Sequence, residues 1–211
     1  MQDAPAQNAE SGVIDSLDAL ASLYGEVSQG ARIKETDHLT EPYRAMIAAA
    51  PFAILATQGP LGPDLSPRGE APGFVRIEDA RTLLLPDRPG NNRLDSLRNI
   101  LADPRVALLF LIPGIGETLR VMGRARIRAD DLLRQRFAVN GRLPATVLEI
   151  SVERAFVHCA KALVRSRLWH PESRVPRDSL PSLGEMLAAA RPGLDAEAED
   201  RARAARPLVL Y

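Results

Sequence analysis

The chain has 211 residues, 45% hydrophobic and 26% charged, the balance of a globular protein long enough to bury a core. Lys+Arg and Asp+Glu both number 27, so no global field recruits nucleic acid or an anionic membrane, and any anion site has to be local. The one cysteine, Cys159, excludes an intrachain disulfide.

Residues 1–12 lack the basic and apolar regions of a signal peptide and read as a disordered lead-in. The longest strongly apolar run, residues 106–112, is too short to span a bilayer, and a cytoplasmic protein is the expectation. Ile14, Leu17, Leu20, Ala21 and Tyr24 follow helical spacing. After a polar connector, Thr40 is a plausible N-cap with Pro42 just inside the next helix, which ends at Pro51 and carries Tyr43, Met46, Ile47 and Ala50 on one face. Residues 1–50 are thus expected to form an N-terminal helical extension.

The main body, residues 51–170, reads as β-rich. Residues 52–57 form a short apolar run, followed by a Gly/Pro loop at 59–63. Residues 64–68 resume as a strand interrupted by Pro67 and Gly69. Residues 73–78 and 82–85 read as a hairpin turning at 79–81. A helix from Asn92 to Leu101 places Leu94, Leu97, Ile100 and Leu101 on one face and stops before Pro104. Residues 105–112 suit a buried strand.

The longest alternating segment, 117–128, sets Leu119, Val121, Gly123, Ala125 and Ile127 against Arg120, Met122, Arg124, Arg126 and Arg128. A short helix over 130–137 precedes a second alternating strand from 147 to about His158. Residues 171–211 read as a C-terminal helical extension, with Ser182 and Glu185 forming a capping box. About six strands with inserted helices indicate a mainly β fold, an antiparallel barrel, rather than a doubly wound sheet.

Metal chemistry finds no support: His38, His158 and His170 are scattered, without ligand spacing. No Gly-x-Ser-x-Gly elbow occurs, and Gly114-Ile-Gly116 precedes a strand, as a hairpin turn requires. Three stretches remain as candidates. Around Ser66, Pro67, Arg68 and Gly69, a strand broken by proline and glycine would expose backbone amides to a flat polar ligand, or is simply an irregular edge. At Arg88, Asn91, Asn92 and Arg93, a loop opens onto a helix start, where free N–H groups and the dipole suit a phosphate; plain asparagine capping explains the same pattern. Lys161, Arg165, Arg167 and Trp169 follow the last strand; on a helix, Lys161 and Arg165 would share a face that an anion could relieve, while Trp169 could equally be core.

The order Ser-Pro-Arg-Gly-Glu, then Leu-Leu-Pro-Asp-Arg-Pro-Gly-Asn-Asn-Arg-Leu-Asp-Ser, then Asn-Ile-Leu-Ala-Asp-Pro-Arg-Val-Ala-Leu-Leu-Phe resembles the pyridoxamine 5′-phosphate oxidase-related FMN-binding proteins. More narrowly, the Ser-Pro-Arg-Gly and Arg-Ser-Arg-Leu-Trp signatures resemble those of a bacterial subgroup, and the similarity covers roughly residues 36–172. The resemblance implies a split β-barrel homodimer with FMN at the subunit interface, and so an FMN-dependent oxidoreductase, a flavin carrier or sensor, or a split barrel holding haem or another ligand. It also implies roles. Arg88, Asn91, Asn92 and Arg93 would hold the flavin phosphate, residues 66–69 would lie along the ring, and Lys161, Arg165, Arg167 and Trp169 would close the site, from the partner chain if need be. Two departures argue against vitamin B6 oxidation itself: no lysine follows Arg76 in its strand, and the C-terminal Arg-Leu-x-Pro ending is absent.

Overall fold

The computed structural model describes residues 12–60 and 62–206. The expected lead-in before Gly12 and the ending at Tyr211 lie outside the described residues. The chain divides into two compact units, Met1–Lys34 and Glu35–Tyr211. The first carries α1 (Leu17–Leu23), capped by the Ser16 side chain, and α2 (Gln29–Ile33), capped by Ser28; neither buries a residue. The connector read from sequence after Tyr24 thus contains a short second helix. Its single turn is too short to show a hydrophobic period.

The second unit begins with α3 (Glu41–Ala49), which follows Thr40 as expected and sends Tyr43 and Ile47 into the core beside Ala50. Seven antiparallel strands make up its sheet: β1 (Phe52–Gly59), β2 (Gly62–Gly69), β3 (Arg76–Asp79), β4 (Thr82–Asp87), β5 (Arg105–Leu111), β6 (Thr118–Arg128) and β7 (Thr146–His158). Their order is β2-β1-β5-β6-β7-β4-β3, with β2 and β3 as edges. The architecture is that of the split barrel, and the sheet is not closed by backbone hydrogen bonds.

The alternation read in β6 holds: Leu119, Val121, Gly123 and Ala125 are buried while Arg120, Arg124 and Arg126 are exposed. A bulge interrupts it. Met122 pairs with Arg154 and Gly123 with Val152, so the intervening Glu153 has no opposite residue. A Cβ on Gly123 would lie 2.0 Å from the Ser151 carbonyl oxygen, so only glycine lets β6 and β7 approach this closely. The bulge also shifts the inward phase of β7 from Val152 to Ala155, both buried.

Two expectations for the first hairpin are corrected. Gly59, Gly62 and Pro63 belong to the strands, and the connection shrinks to residues 60–61. β2 is also unbroken: it pairs with β1 residue by residue from Gly62 to Gly69. Pro67 is tolerated because β2 is an edge strand. Lacking an N–H, proline must face the open side, and residues of its parity (63, 65, 67, 69) then face it too. With Pro63 and Pro67 contributing no donor, that edge offers only the N–H groups of Leu65 and Gly69, which blunts edge-to-edge pairing.

Between β4 and β5 lies α4 (Asp95–Ala102), packed on β1. Its buried face is Ser96, Asn99 and Ile100, whereas Leu94 and Leu101 are exposed. Of the apolar face read from sequence, Ile100 and Leu97 do pack on the core, while Leu94 and Leu101 give way to Ser96 and Asn99. The cause is a buried polar contact: Asn99 Nδ2 donates to Thr57 Oγ1 at 3.1 Å, and Gly59 makes room, since a Cβ there would stand 1.9 Å from Asn99 Oδ1. Past β6, α5 (Asp131–Gln135) leads to β7. Beyond β7 come α6 (Lys161–Ser166), α7 (Leu183–Ala190) and α8 (Ala196–Ala204); α7 starts with the capping box foreseen at Ser182 and Glu185 and packs on α8.

Candidate functional site

The open edge and β4 come together through side chains instead of backbone. Along β2, Asp64, Ser66 and Arg68 alternate with exposed Pro63, Leu65 and Pro67, so the three polar residues share one half-buried face. That face and the chain leaving β4 enclose a cleft of about 430 Å³, lined by Asp64, Ser66, Arg68, Asp87, Arg88, residues 89–94 and the first turn of α4. Pro67, Gly69 and Glu70 line an adjoining cleft that shares Arg68, Arg88 and Gly90 with it. Two of the three candidate stretches therefore meet in one place.

The junction at residues 91–93 is not built as the sequence suggests. The helix begins at Asp95, and its N-cap is Leu94, which gives no side-chain cap. Asn92 and Leu94 both hold left-handed backbone, φ 58° and 61°. Asparagine tolerates this; leucine does so at a cost of about 1 kcal/mol. The Asn91 side chain accepts from the Arg93 N–H at 3.1 Å, a local turn that competes with helix. Asparagine capping of α4 is therefore ruled out, because the turn delays the helix by three residues. Arg93 is exposed and donates to Asp95 at 2.7 Å, while Ser96 donates to Asp64 at 2.8 Å.

Two ion pairs span the split between β2 and β4. Arg88 grips Glu70 with two hydrogen bonds, Nε to Oε1 at 2.8 Å and Nη2 to Oε2 at 2.9 Å, both side chains largely buried. Arg68 meets Asp87 only loosely, Nη2 to Oδ1 at 3.5 Å, with side chains 21% and 13% exposed. The buried Arg68 Nε has no hydrogen-bond partner, nor has the buried hydroxyl of Thr146, which stands directly across the ladder from Asp87. Burial pushes the Asp87 carboxyl above its usual range, and the Arg68 charge opposes this only in part. The strand read from sequence as 82–85 runs two residues further, and Asp87 is the last residue of β4.

The third stretch lies elsewhere. None of residues 161–169 lines the cleft. Lys161 and Arg165 stand exposed on α6. Arg167 ends that helix in left-handed backbone (φ 53°) and pairs with Glu172 at 2.6 Å. Trp169 donates its indole N–H to the Ile115 carbonyl at 2.7 Å, and together with Arg167 it lines a separate groove of about 400 Å³ beside Gly114 and Gly116. Arg76, the arginine without a following lysine, lies over the Phe137 ring at 4.7 Å.

Sequence reading passed over Asp64, Ser96 and Thr146. Asp64 carried a signal, the period-two alternation with Ser66 and Arg68; Ser96 and Thr146 carried none, since their partners are remote in sequence. Among the described residues no group of three or more His, Cys, Asp or Glu could hold a metal ion, and no helix is long and apolar enough to cross a membrane.

The family model for pyridoxamine 5′-phosphate oxidase matches residues 39–159. No curated protein matches the chain. Among solved structures, HupZ of Group A Streptococcus is 20% identical, with a TM-score of 0.46 over 56% of this chain and 92% of its own. A pyridoxamine 5′-phosphate oxidase candidate from Lactobacillus delbrueckii is 22% identical, with a TM-score of 0.45 over 57% and 95%. General Stress Protein 26 of Bacillus anthracis is 16% identical, with a TM-score of 0.42 over 54% and 88%.

Proposed function

Because the chain belongs to the pyridoxamine 5′-phosphate oxidase family, we propose that it is an FMN-binding flavoprotein, an FMN-dependent oxidoreductase acting on a small molecule. One observation carries the reading: Arg68, its side chain 21% exposed, lines a cleft of about 430 Å³ and keeps a buried Nε without a hydrogen-bond partner. A guanidinium paired only loosely, with one buried N–H left without an acceptor, costs free energy that a ligand's acceptors can offset. A ring with carbonyl and imide groups, tethered to a phosphate, fits this donor set.

Arg68 would hold the ring, and Asn91, Asn92 and Arg93, with the first turn of α4, the phosphate. Leu94 leaves those first-turn N–H groups without a side-chain cap, as an anion requires. Arg88 would act mainly through Glu70, tying β2 to β4 and fixing the shape of the cleft. Bound flavin would supply hydride or electron transfer, while the chain positions it and screens it from water. Because residues 161–169 lie outside the cleft of their own chain, Lys161, Arg165, Arg167 and Trp169 would close it from a second copy, in a homodimer with FMN at the interface.

Purified protein should carry flavin absorbance and release FMN by mass, and NAD(P)H should bleach that absorbance. Flavin that resists every electron donor would indicate a carrier or sensor. Protein that copurifies with haem or fails to take up FMN would sink the flavin reading. Replacing Asn92 and Arg93 together by alanine should weaken FMN retention about tenfold or more with the melting curve preserved. Unchanged affinity would refute the phosphate assignment.

A further inference from the structure

The unit Met1–Lys34 lies outside residues 39–159, the stretch that the family model matches. Its helices have seven and five residues, below the length that holds in water without packing, yet each starts at a serine cap and neither buries a residue. Every large apolar residue from Val13 to Val27 is 43% to 84% exposed. On α1, Leu17, Leu20 and Ala21 share one side and form an apolar groove with Tyr24. The charges of this stretch are Asp15, Asp18 and Glu26, with no Lys or Arg between Val13 and Val27. That excludes an anionic lipid surface, for which an amphipathic helix carries a basic polar face. What fits is an apolar surface edged by cations.

The second unit has such a surface. α3 and α4 supply core residues on one face of the sheet. On the opposite face Ile54 stands across from Leu109 and Leu109 from Arg120, and beside them Ala56 stands across from Ala107 and Ala107 from Met122. Ile54, Leu109 and Met122 are half-buried and lie outside the hydrophobic core. Arg120 and Arg124 rise exposed from the same face, and among the described residues neither enters an ion pair. The chain enters this unit at the margin of that face. Glu35 pairs with Arg154, which stands across from Met122, and Thr36 exchanges two backbone hydrogen bonds with Ala155.

We propose that this face of β1, β5 and β6 receives the N-terminal segment of a second copy of the chain. Asp15 and Asp18 meet Arg120 and Arg124, and the apolar side of α1 covers Ile54, Leu109 and Met122. The helices of the segment bury nothing within their own chain, so the surface that covers them comes from another molecule. By two-fold symmetry each copy gives one segment and receives one. The proposal rests on the homodimer reading and adds to it the element that holds the two copies together.

The test uses two full-length variants, Asp15→Arg with Asp18→Arg, and Arg120→Glu with Arg124→Glu. Each alone should raise the dimer dissociation constant, measured by sedimentation, roughly tenfold or more, because like charges then meet. An equimolar mixture of the two should restore the native constant, since in the mixed dimer the reversed segment meets the reversed face and the native segment the native face. Failure of the mixture to recover overturns the proposal. Recovery only when all four changes sit on one chain overturns it as well, and shows that the segment covers its own sheet. A constant unchanged in either variant overturns it and leaves the homodimer reading standing, whereas a native chain that sediments as a monomer sinks both.

Discussion

The two ion pairs that cross from β2 to β4 have the same composition and opposite character. Arg88–Glu70 is bidentate at 2.8 and 2.9 Å, and Arg68–Asp87 is a single approach at 3.5 Å with a donor left over. Both are largely buried, so exposure does not distinguish them. The difference is in hydrogen bonding. A buried pair with good geometry recovers much of its desolvation cost and can hold the split together, whereas a buried pair without it is a standing cost that only a ligand would offset. One crossing is a closed clasp, the other is left open.

The largest effect should come from opening the clasp. Glu70→Ala leaves Arg88 buried without its carboxylate and should destabilise the unliganded protein by about 3 kcal/mol, seen as a lowered denaturation midpoint. The contrast fails if Arg68→Met costs as much. That variant removes a poorly satisfied cation, so unliganded stability should change by no more than about 1 kcal/mol, while the rise in melting temperature on adding FMN should largely disappear.

The smallest effect should be a slope with pH. Burial raises the Asp87 pKa above its unfolded value of 3.8, so the folded state binds this proton more tightly than the unfolded state. That contribution is fully present below 3.8 and is lost as pH rises through the raised value. Unliganded protein should therefore lose stability over that interval. Asp87→Asn should flatten this segment of the profile in urea melts, and a slope unchanged by the substitution would remove Asp87 as its source.

Much of the fold was legible because strand and helix periodicities are local. β6 and β7 showed their buried and exposed faces in the order of their residues, and Thr40 and Ser182 marked helix starts from the position directly before each. Errors gathered where a distant partner overrode the local pattern. Leucine spacing placed Ile100 and Leu97 correctly on α4 but added Leu94 and Leu101 to the buried face, where Ser96 and Asn99 stand instead, Asn99 held by Thr57, 42 positions away in sequence. Pro67 looked like a strand breaker because nothing nearby in sequence marks β2 as an edge.

The same division runs through the candidate site. Residues 66–69 and 88–93 were visible as unusual turn and charge chemistry, and the chain does bring them together around two adjoining clefts, while residues 161–169 line neither. Which arginine is satisfied and which is not could not be read from composition or spacing, since Arg68 and Arg88 each have carboxylates close in sequence. By itself the sequence determined where strands and helices form and which short stretches carry donors, because those depend on neighbours along the chain. Only the tertiary structure decided that Glu70 takes Arg88 while Asp87 leaves Arg68 open, because that depends on how a curled sheet brings its edge strand against β4.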